Sequence, residues 1–570
     1  MTLSRHLHAL DQKLENLAAL SLPRQLTFLA LCALILFLPG FFTLPPFDRD
    51  ESRYAQASYQ MQQTADVIDI RLQDEPRYKK PVGIYWLQAG TASVASWWEA
   101  EKQIWIYRLP SLAGAILAVL LTTLIAQQFM STGPSLLAGV LMASTILLGV
   151  EARMAKTDAV LLASILTMQW MLARLYTGTS GRAGGMPYRP LSLPGALLFW
   201  LALAVSVLVK GPIGLMVVGG TIILLCLFAR RTRWLLALRP LTGLALTLAL
   251  ILPWYIAITI QSDGGFWAAS LGKDLLGKVA TGQESHGAPP GSFLAVFPLT
   301  AWPMSIIFLL MLPALWRNRR RPMVMFMAAW LLPTWLIFEL VTTKLPHYVL
   351  PVYPALAIAA AWAWHTNRHQ GRLSIFTMLL VALFLLLPLI LIAAAGGISL
   401  YLEGTLPIQV ILAGALAVLA AFLAWHALRY RFAYASVMAL FAGSFALGAG
   451  VYPTLAQVGY IWPSHQAAAY YHQFQGCSNP DLLTATYIEP SFVFGTDTRL
   501  QRHNGTTIAK ALSSTTCALA FINAEEYPKF RQAIEASPVP PRKMGEVKGF
   551  NFGGGDPIHL HIYVITPQEK

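Results

Sequence analysis

The sequence predicts a polytopic α-helical membrane protein of about thirteen transmembrane helices, with a small α/β domain at its C-terminal end. Three observations carry that reading. The 570 residues are 56% hydrophobic and only 12% charged, where a soluble domain has roughly 25% charged residues. Long apolar runs recur from residue 25 to residue 451, each near the length that crosses a bilayer. Beyond residue 451 the chain becomes more polar and alternates in the way of strands.

The apolar runs fall near 25–43, 105–130, 135–151, 157–177, 194–210, 212–229, 237–260, 292–316, 322–342, 348–366, 373–395, 407–427 and 432–451. The first lacks a small-residue cleavage site and reads as a retained helix. With the N-terminus on the cytoplasmic side, most arginine clusters share that side, including Arg230–Arg233, Arg317–Arg321 and Arg429–Arg431. This is the positive-inside pattern, and it explains the net charge of +14 without nucleic acid. The segment "PVGIYWLQAGTASVASWW" (Pro81 to Trp98) is apolar but short, with aromatics near both ends. A crossing there would put the later arginine clusters outside, so it is expected to lie in the outer interface.

Thirteen crossings place the tail, 452–570, outside as a soluble α/β domain, and 1–451 as the membrane domain. "LLTATYIEPSFVF", "TTCALAFI" and "IHLHIYVI" read as its strands, with turns such as "GFNFGGGDP". Cys477 and Cys517 both fall in this tail; an oxidising compartment would let them pair, although spacing alone leaves them paired or free. Cys32 and Cys226 sit inside apolar runs as small core residues.

The outer loops collect the unusual polar residues. The first holds "FDRDESRYA", with Asp50, Glu51, Arg53 and Tyr54, and "EPRYKKPVGIYW", with Tyr78, Lys79 and Lys80. "EARMAKTD" ends at Asp158, "LVKGP" holds Lys210, a later loop holds Lys278 and His286, and "TTKLPHYVLP" holds Lys344, His347 and Tyr348. Lys79, Lys80, Arg53, Lys278 and Lys344 can supply positive charge to a phosphate. Carboxylates beside a phosphate orient hydroxyls, act as base or bind a metal. Each residue has an ordinary reading too: a helix cap at Asp158, a local ion pair at Asp50–Arg53, a lipid-headgroup anchor at Lys79–Lys80. Together those readings require five loops to coincide on one side.

The stretch "DESRYA", followed thirty residues later by "KKPVGIYW", resembles the "DE-x-RYA … EKP-x-x-YW" signature of bacterial lipid-linked glycosyltransferases of the GT-C fold, nearest to the aminoarabinose transferases of lipid A within the protein-mannosyltransferase-like superfamily. "KG" after the fifth run, "LPW … FW" and "KLPHYVLPVYP" follow in the same order, so the likeness covers roughly residues 25 to 365. It implies transfer of a sugar from a polyprenyl-phosphate donor to lipid A or another envelope glycolipid, at the periplasmic face of the bacterial inner membrane, with inversion. It also implies that Asp50, Asp158 and Glu51 serve catalysis or acceptor positioning. Lys80, Arg53, Lys278, Tyr348 and Lys79 would then meet the lipid phosphate, with Tyr54, Tyr78, Lys210, His286, Lys344 and His347 shaping the cavity. Departures include Lys79 in place of a glutamate, Lys278 in place of an arginine, and Asp274-Leu275 in place of Glu-His. They touch the choice of sugar and acceptor. No P-loop and no GxGxxG on a strand–helix unit is present. The sequence settles no cofactor, and the carboxylates would suit a divalent metal. A protein O-glycosyltransferase of the same fold is the nearer alternative. A lipid-linked sugar flippase is the more distant one, because its ionisable groups would sit near the bilayer midplane. Membrane lipids are expected partners and nucleic acid is not; the oligomeric state is left open.

Overall fold

The computed structural model describes residues 2–180, 191–230, 232–277, 287–477, 479–535 and 540–567. Its first 457 residues are almost entirely helical, apart from a two-stranded ribbon of β1 (Arg71–Leu72) and β2 (Glu75–Pro76) in the first long loop. The chain is a multi-pass α-helical membrane protein. Among the described residues eight helices are long and apolar enough to cross a bilayer, or nine if the bent pair Ser292–Thr300 and Met304–Arg317 counts as one crossing.

That corrects the expectation of about thirteen full-length spans. Four of the apolar runs form shorter helices: Leu22–Phe37, Thr132–Ser144, Ile213–Ala229 and Tyr353–Thr366. At 1.5 Å per residue, the 13 residues of Thr132–Ser144 rise about 20 Å against a hydrocarbon core of about 30 Å. Hydropathy reports how apolar a run is and is blind to where its helix stops. The run expected at 135–151, for example, breaks at Thr145 and resumes as Ile146–Glu151.

The segment at 81–98 forms the helix Gly83–Ala95 and a 3₁₀ turn, Ser96–Trp98, and is not among the spans. Trp97 and Trp98 are exposed, while Val82, Ile84 and Tyr85 are buried. Gly83 lies against the Leu193–Lys210 helix, where a Cβ would come within 2.8 Å of the Leu208 carbonyl carbon and oxygen. A glycine here lets the loop carrying Lys80 dock beside the end of the helix carrying Lys210.

The C-terminal part is a five-stranded mixed sheet in the order β4-β3-β5-β7-β6. Its strands are β3 (Asp481–Ala485), β4 (Gln501–His503), β5 (Ala518–Asn523), β6 (Arg542–Asn551) and β7 (Asp556–Ile565). β3 runs parallel to β4 and β5, and β7 runs antiparallel to β5 and β6. Every residue of the central strand β5 is buried, as a strand covered on both faces requires. Leu519 and Phe521 face one core with Phe492 and Ile562; Ala518, Ala520 and Ile522 face the other with Ile508, Leu512 and Phe530. A disulfide joins Cys477, just before β3, to Cys517, just before β5, with Cα atoms 6.4 Å apart.

The connection between β3 and β4 also braces the first loop. Gln56 Nε2 donates to Thr498 Oγ1 at 2.8 Å, and Gln73 Nε2 donates to the carbonyls of Thr498 and Leu500, each at 2.9 Å. The Ser491 hydroxyl donates to the Asp48 carboxylate.

Candidate active site

The helix Asp50–Thr64 starts at Arg49, a non-glycine residue held at φ 65°. That left-handed conformation turns the chain sharply just before the two acids. Asp50 then points out into a cavity, while Glu51 is fully buried. Glu51 receives Arg108 Nε at 2.8 Å and Nη2 at 3.1 Å, together with the backbone N–H groups of Phe47 and Ala155, each at 2.9 Å. Arg108 spends its remaining donors on the carbonyls of Phe41, Leu44 and Pro45. Every strong polar atom of this buried pair is thus occupied. Glu51 is therefore a clamp between the first loop, the helix Ile104–Ala126 and the turn before Asp158, which corrects its expected catalytic role.

The cavity has a volume of about 230 Å³. Its polar wall comprises Asp50, Tyr54, Lys80, Lys156, Thr157, Asp158, Lys210, His347 and Tyr348; Leu161, Ile213, Met216, Ile337, Phe338, Val341, Leu345 and Pro351 line the rest. Lys210 ends the helix Leu193–Lys210, and Gly211 then adopts φ 63°, releasing the chain while the ammonium turns inward. Lys210 Nζ lies 2.5 Å from Asp158 Oδ1. Lys156 Nζ lies 3.2 Å from Glu151 Oε1. His347, on the 3₁₀ turn Pro346–Val352, stands between the two carboxylates, with Nδ1 3.8 Å from Glu151 and Nε2 3.9 Å from Asp158. Its ring meets Tyr348 edge-on, and Lys210 Nζ sits 5.8 Å from the Tyr348 ring centre. Below Tyr54, the Arg77 guanidinium stacks 5.2 Å from the ring centre.

Seven expected residues therefore share one cavity: Asp50, Tyr54, Lys80, Asp158, Lys210, His347 and Tyr348. Others stand elsewhere. Lys344 is buried, and its Nζ donates to the carbonyls of Glu339 and Val341 at 3.0 and 2.6 Å, closing off the helix Pro322–Leu340 as a C-terminal cation does. The Tyr78 hydroxyl donates to Asp69 at 2.8 Å; burial, and after it that bond, lifts its pKa to about 12, and the tyrosine braces the loop. Arg53 is half-buried and Lys79 exposed, and neither lines the cavity. Lys278 and His286 lie outside the described residues.

Two members went unnamed in the sequence reading, Lys156 and its partner Glu151, although both lie within the quoted "EARMAKTD". Their signal was available: each is a charged residue beside an apolar run, where burial demands a partner. Arg108 gave the same signal from within "IYRLP".

Chemically the cavity offers ammonium groups facing carboxylates over an apolar floor. That combination can seat an anionic head whose tail is hydrocarbon. The Asp158–Glu151–His347 group also has the ligand types of a divalent metal site and leaves Glu151 Oε2 buried without a hydrogen-bond partner, yet Lys210 and Lys156 already neutralise the two carboxylates, each through one oxygen. The donor set as it stands fits an ion-pair network better than a metal centre.

The model of the dolichyl-phosphate-mannose-protein mannosyltransferase family matches residues 25–270. The undecaprenyl phosphate-alpha-4-amino-4-deoxy-L-arabinose arabinosyl transferase of Pseudomonas aeruginosa is 27% identical over 334 residues, 57% of this chain and 58% of that protein. Its counterpart in Aeromonas salmonicida is 26% identical, over 58% of this chain and 59% of its own. The chain thus spans less than two thirds of the length of these curated relatives. The crystal structure of ArnT from Cupriavidus metallidurans bound to undecaprenyl phosphate superposes with a TM-score of 0.71 at 16% identity, covering 94% of this chain and 97% of that one. This chain has the GT-C fold. The GT-C likeness extends through the C-terminal sheet, beyond the reach of the family model, because the superposition covers nearly the whole of both chains. Within the GT-C bundle the cavity straddles the end of the matched region: Asp50 to Met216 lie inside it, Ile337 to Pro351 beyond it.

Proposed function

We propose that this protein is an inner-membrane glycosyltransferase that moves a sugar from a polyprenyl-phosphate donor to lipid A or another envelope glycolipid at the periplasmic face. One observation carries the reading. Asp50, Lys80, Asp158, Lys210 and Tyr348, far apart in sequence, line a single cavity that also has an apolar floor. Lys80, with Lys156 and Lys210, faces the lipid phosphate and stabilises the negative charge that grows on it as the sugar departs. Asp50 accepts the proton of the acceptor hydroxyl. The hydroxyl oxygen forms a bond to the anomeric carbon as the carbon–oxygen bond to phosphate breaks, and polyprenyl phosphate leaves. Asp158 and Glu151 hold Lys210 and Lys156 in position, and His347 spaces the two carboxylates. The curated relatives act, by their names, on an undecaprenyl-phosphate-linked aminoarabinose, which supports a donor of that class here. Lys278 and His286 remain proposed members of the site.

The topology belongs to the same proposal. The N-terminus is cytoplasmic, and both the cavity and the domain from residue 452 onward are periplasmic, a placement that the clustering of arginines in alternate loops supports. The Cys477–Cys517 bond supports an oxidising location for that domain.

Mass spectrometry of lipid A and of the polyprenyl-phosphate pool, with and without the gene, tests the function. A lipid A mass shift of one sugar, with donor accumulating in the mutant, is expected. Unchanged lipid A alongside loss of sugar from periplasmic proteins would favour the protein O-glycosyltransferase reading, which the name of the matching family model supports. No change in any glycan would reject both.

A further inference from the structure

The C-terminal sheet carries a second cluster, away from the cavity. His559 and His561 are two residues apart on β7, so strand alternation sends both side chains to the same face. Glu546, on the edge strand β6, pairs directly with His561 in the antiparallel register. One ligand atom from each of the three lies within 4.8 Å of the other two. Glu546 Oε2 is 2.8 Å from His559 Nε2, and Oε1 is 3.5 Å from His561 Nδ1.

His561 is the informative member. It is 7% exposed, and its ring stacks on Tyr527 with 3.8 Å between centres. Its Nδ1 nonetheless has no hydrogen-bond partner, where buried polar atoms are ordinarily satisfied. A ring fixed by stacking thus aims an unsatisfied nitrogen at a carboxylate, with a second imidazole 4.3 Å away. Lys543 currently lends Glu546 its counter-charge, a role that a dication would take over.

We infer that Glu546, His559 and His561 form a binding site for a divalent transition-metal ion of the zinc class. Two imidazoles and one carboxylate are a borderline-soft set, better suited to zinc than to calcium or magnesium. Metal–ligand bonds of about 2.0–2.2 Å place tetrahedral ligand atoms roughly 3.4 Å apart. Rotation of the two partly exposed side chains, Glu546 and His559, closes the cluster to that size. Three protein ligands leave the fourth position to water. The ion cross-links the edge strand β6 to β7 and stiffens their hairpin. The hairpin's tip reaches the first loop: a Cβ on Gly553 would lie 3.2 Å from Arg49 Nε.

The test uses the full chain in lipid nanodiscs with any purification tag removed. Isothermal titration with Zn²⁺ should give one equivalent per chain. His559→Gln and Glu546→Gln, at partly exposed positions, should each weaken it by at least about tenfold. Co²⁺ should show tetrahedral visible bands in the wild type and lose them in both variants, while circular dichroism stays unchanged. Absence of stoichiometric zinc in the wild type, or full affinity in both variants, would overturn the inference. So would an equivalent that survives in both and vanishes in His347→Gln, which would put the ion in the cavity.

Discussion

Asp50 and Glu51 are consecutive acids at the start of one helix, and the structure gives them opposite surroundings. A helical step of about 100° turns Asp50 to the cavity and Glu51 to Arg108. Asp50→Asn keeps the shape and removes the proposed proton acceptor. Transfer should fall by about 10²–10⁴-fold with the thermal midpoint unchanged; full turnover in a donor-release assay would remove Asp50 from catalysis. Glu51→Ala strands a buried guanidinium, and breaking such a pair costs about 3–5 kcal/mol. Its expected outcome is loss of folded protein by detergent-resistant fluorescence size exclusion, with activity lost through instability alone. Lys80→Ala should chiefly raise the KM for the polyprenyl-phosphate donor, and an unchanged donor dependence would reject its place against the phosphate. Composition shows that acids gather here, but which of two neighbours faces water is decided by a partner 57 positions away.

At the level of elements, the turn before the Asp50–Thr64 helix is where the membrane part meets the C-terminal sheet. Burial pushes the Asp48 carboxyl up from 3.8 to about 6, against the opposing hydrogen bond from Ser491, and the nearby Glu489 charge adds to the rise. A raised carboxyl pKa means that the folded state holds a proton which the unfolded chain has released. Asp48 therefore favours folding at low pH, and that contribution is lost as pH climbs between 3.8 and about 6. Asp48→Asn should abolish this slope, so its thermal midpoint relative to wild type should rise across that window and level off above it. A parallel pair of melting-versus-pH curves would contradict the assignment. Much of the element pattern was legible: the apolar runs and the segment at 81–98 became helices, and "TTCALAFI" and "IHLHIYVI" became strands. By contrast "LLTATYIEPSFVF", expected as one strand, is a strand only at Asp481–Ala485 and turns into the helix Pro490–Gly495, because Pro490 removes a ladder donor and starts a helix instead. The lengths of the helices were not legible, because apolar composition continues through breaks such as Thr145 and the bend between Thr300 and Met304.

For the whole molecule, the arginine distribution supports the proposed orientation. Reporter fusions after residues 233 and 321 should read as cytoplasmic, and one after residue 461 as periplasmic; the reverse would break the proposed topology. The convergence of distant loops was legible because all were expected on one side of the membrane, so that Asp50, Lys80, Asp158, Lys210 and Tyr348 could be named together in advance. Their internal pairing was not. Lys156 and Glu151 stand five residues apart in a turn whose path no periodicity announces, and only the folded turn brings them into contact. Lys344 looked like a phosphate ligand for the same reason: a sequence cannot show that an ammonium is already committed to carbonyl oxygens of its own helix end.

The bond from Ser491 to Asp48 joins positions separated by 443 residues. Ribosomes deliver the first of these long before the second, so the turn leading into the Asp50–Thr64 helix stays unfastened while the membrane helices are being inserted. A chain stopped after its final crossing would sit in the lipid with every cavity-lining side chain present and the frame around them unlatched.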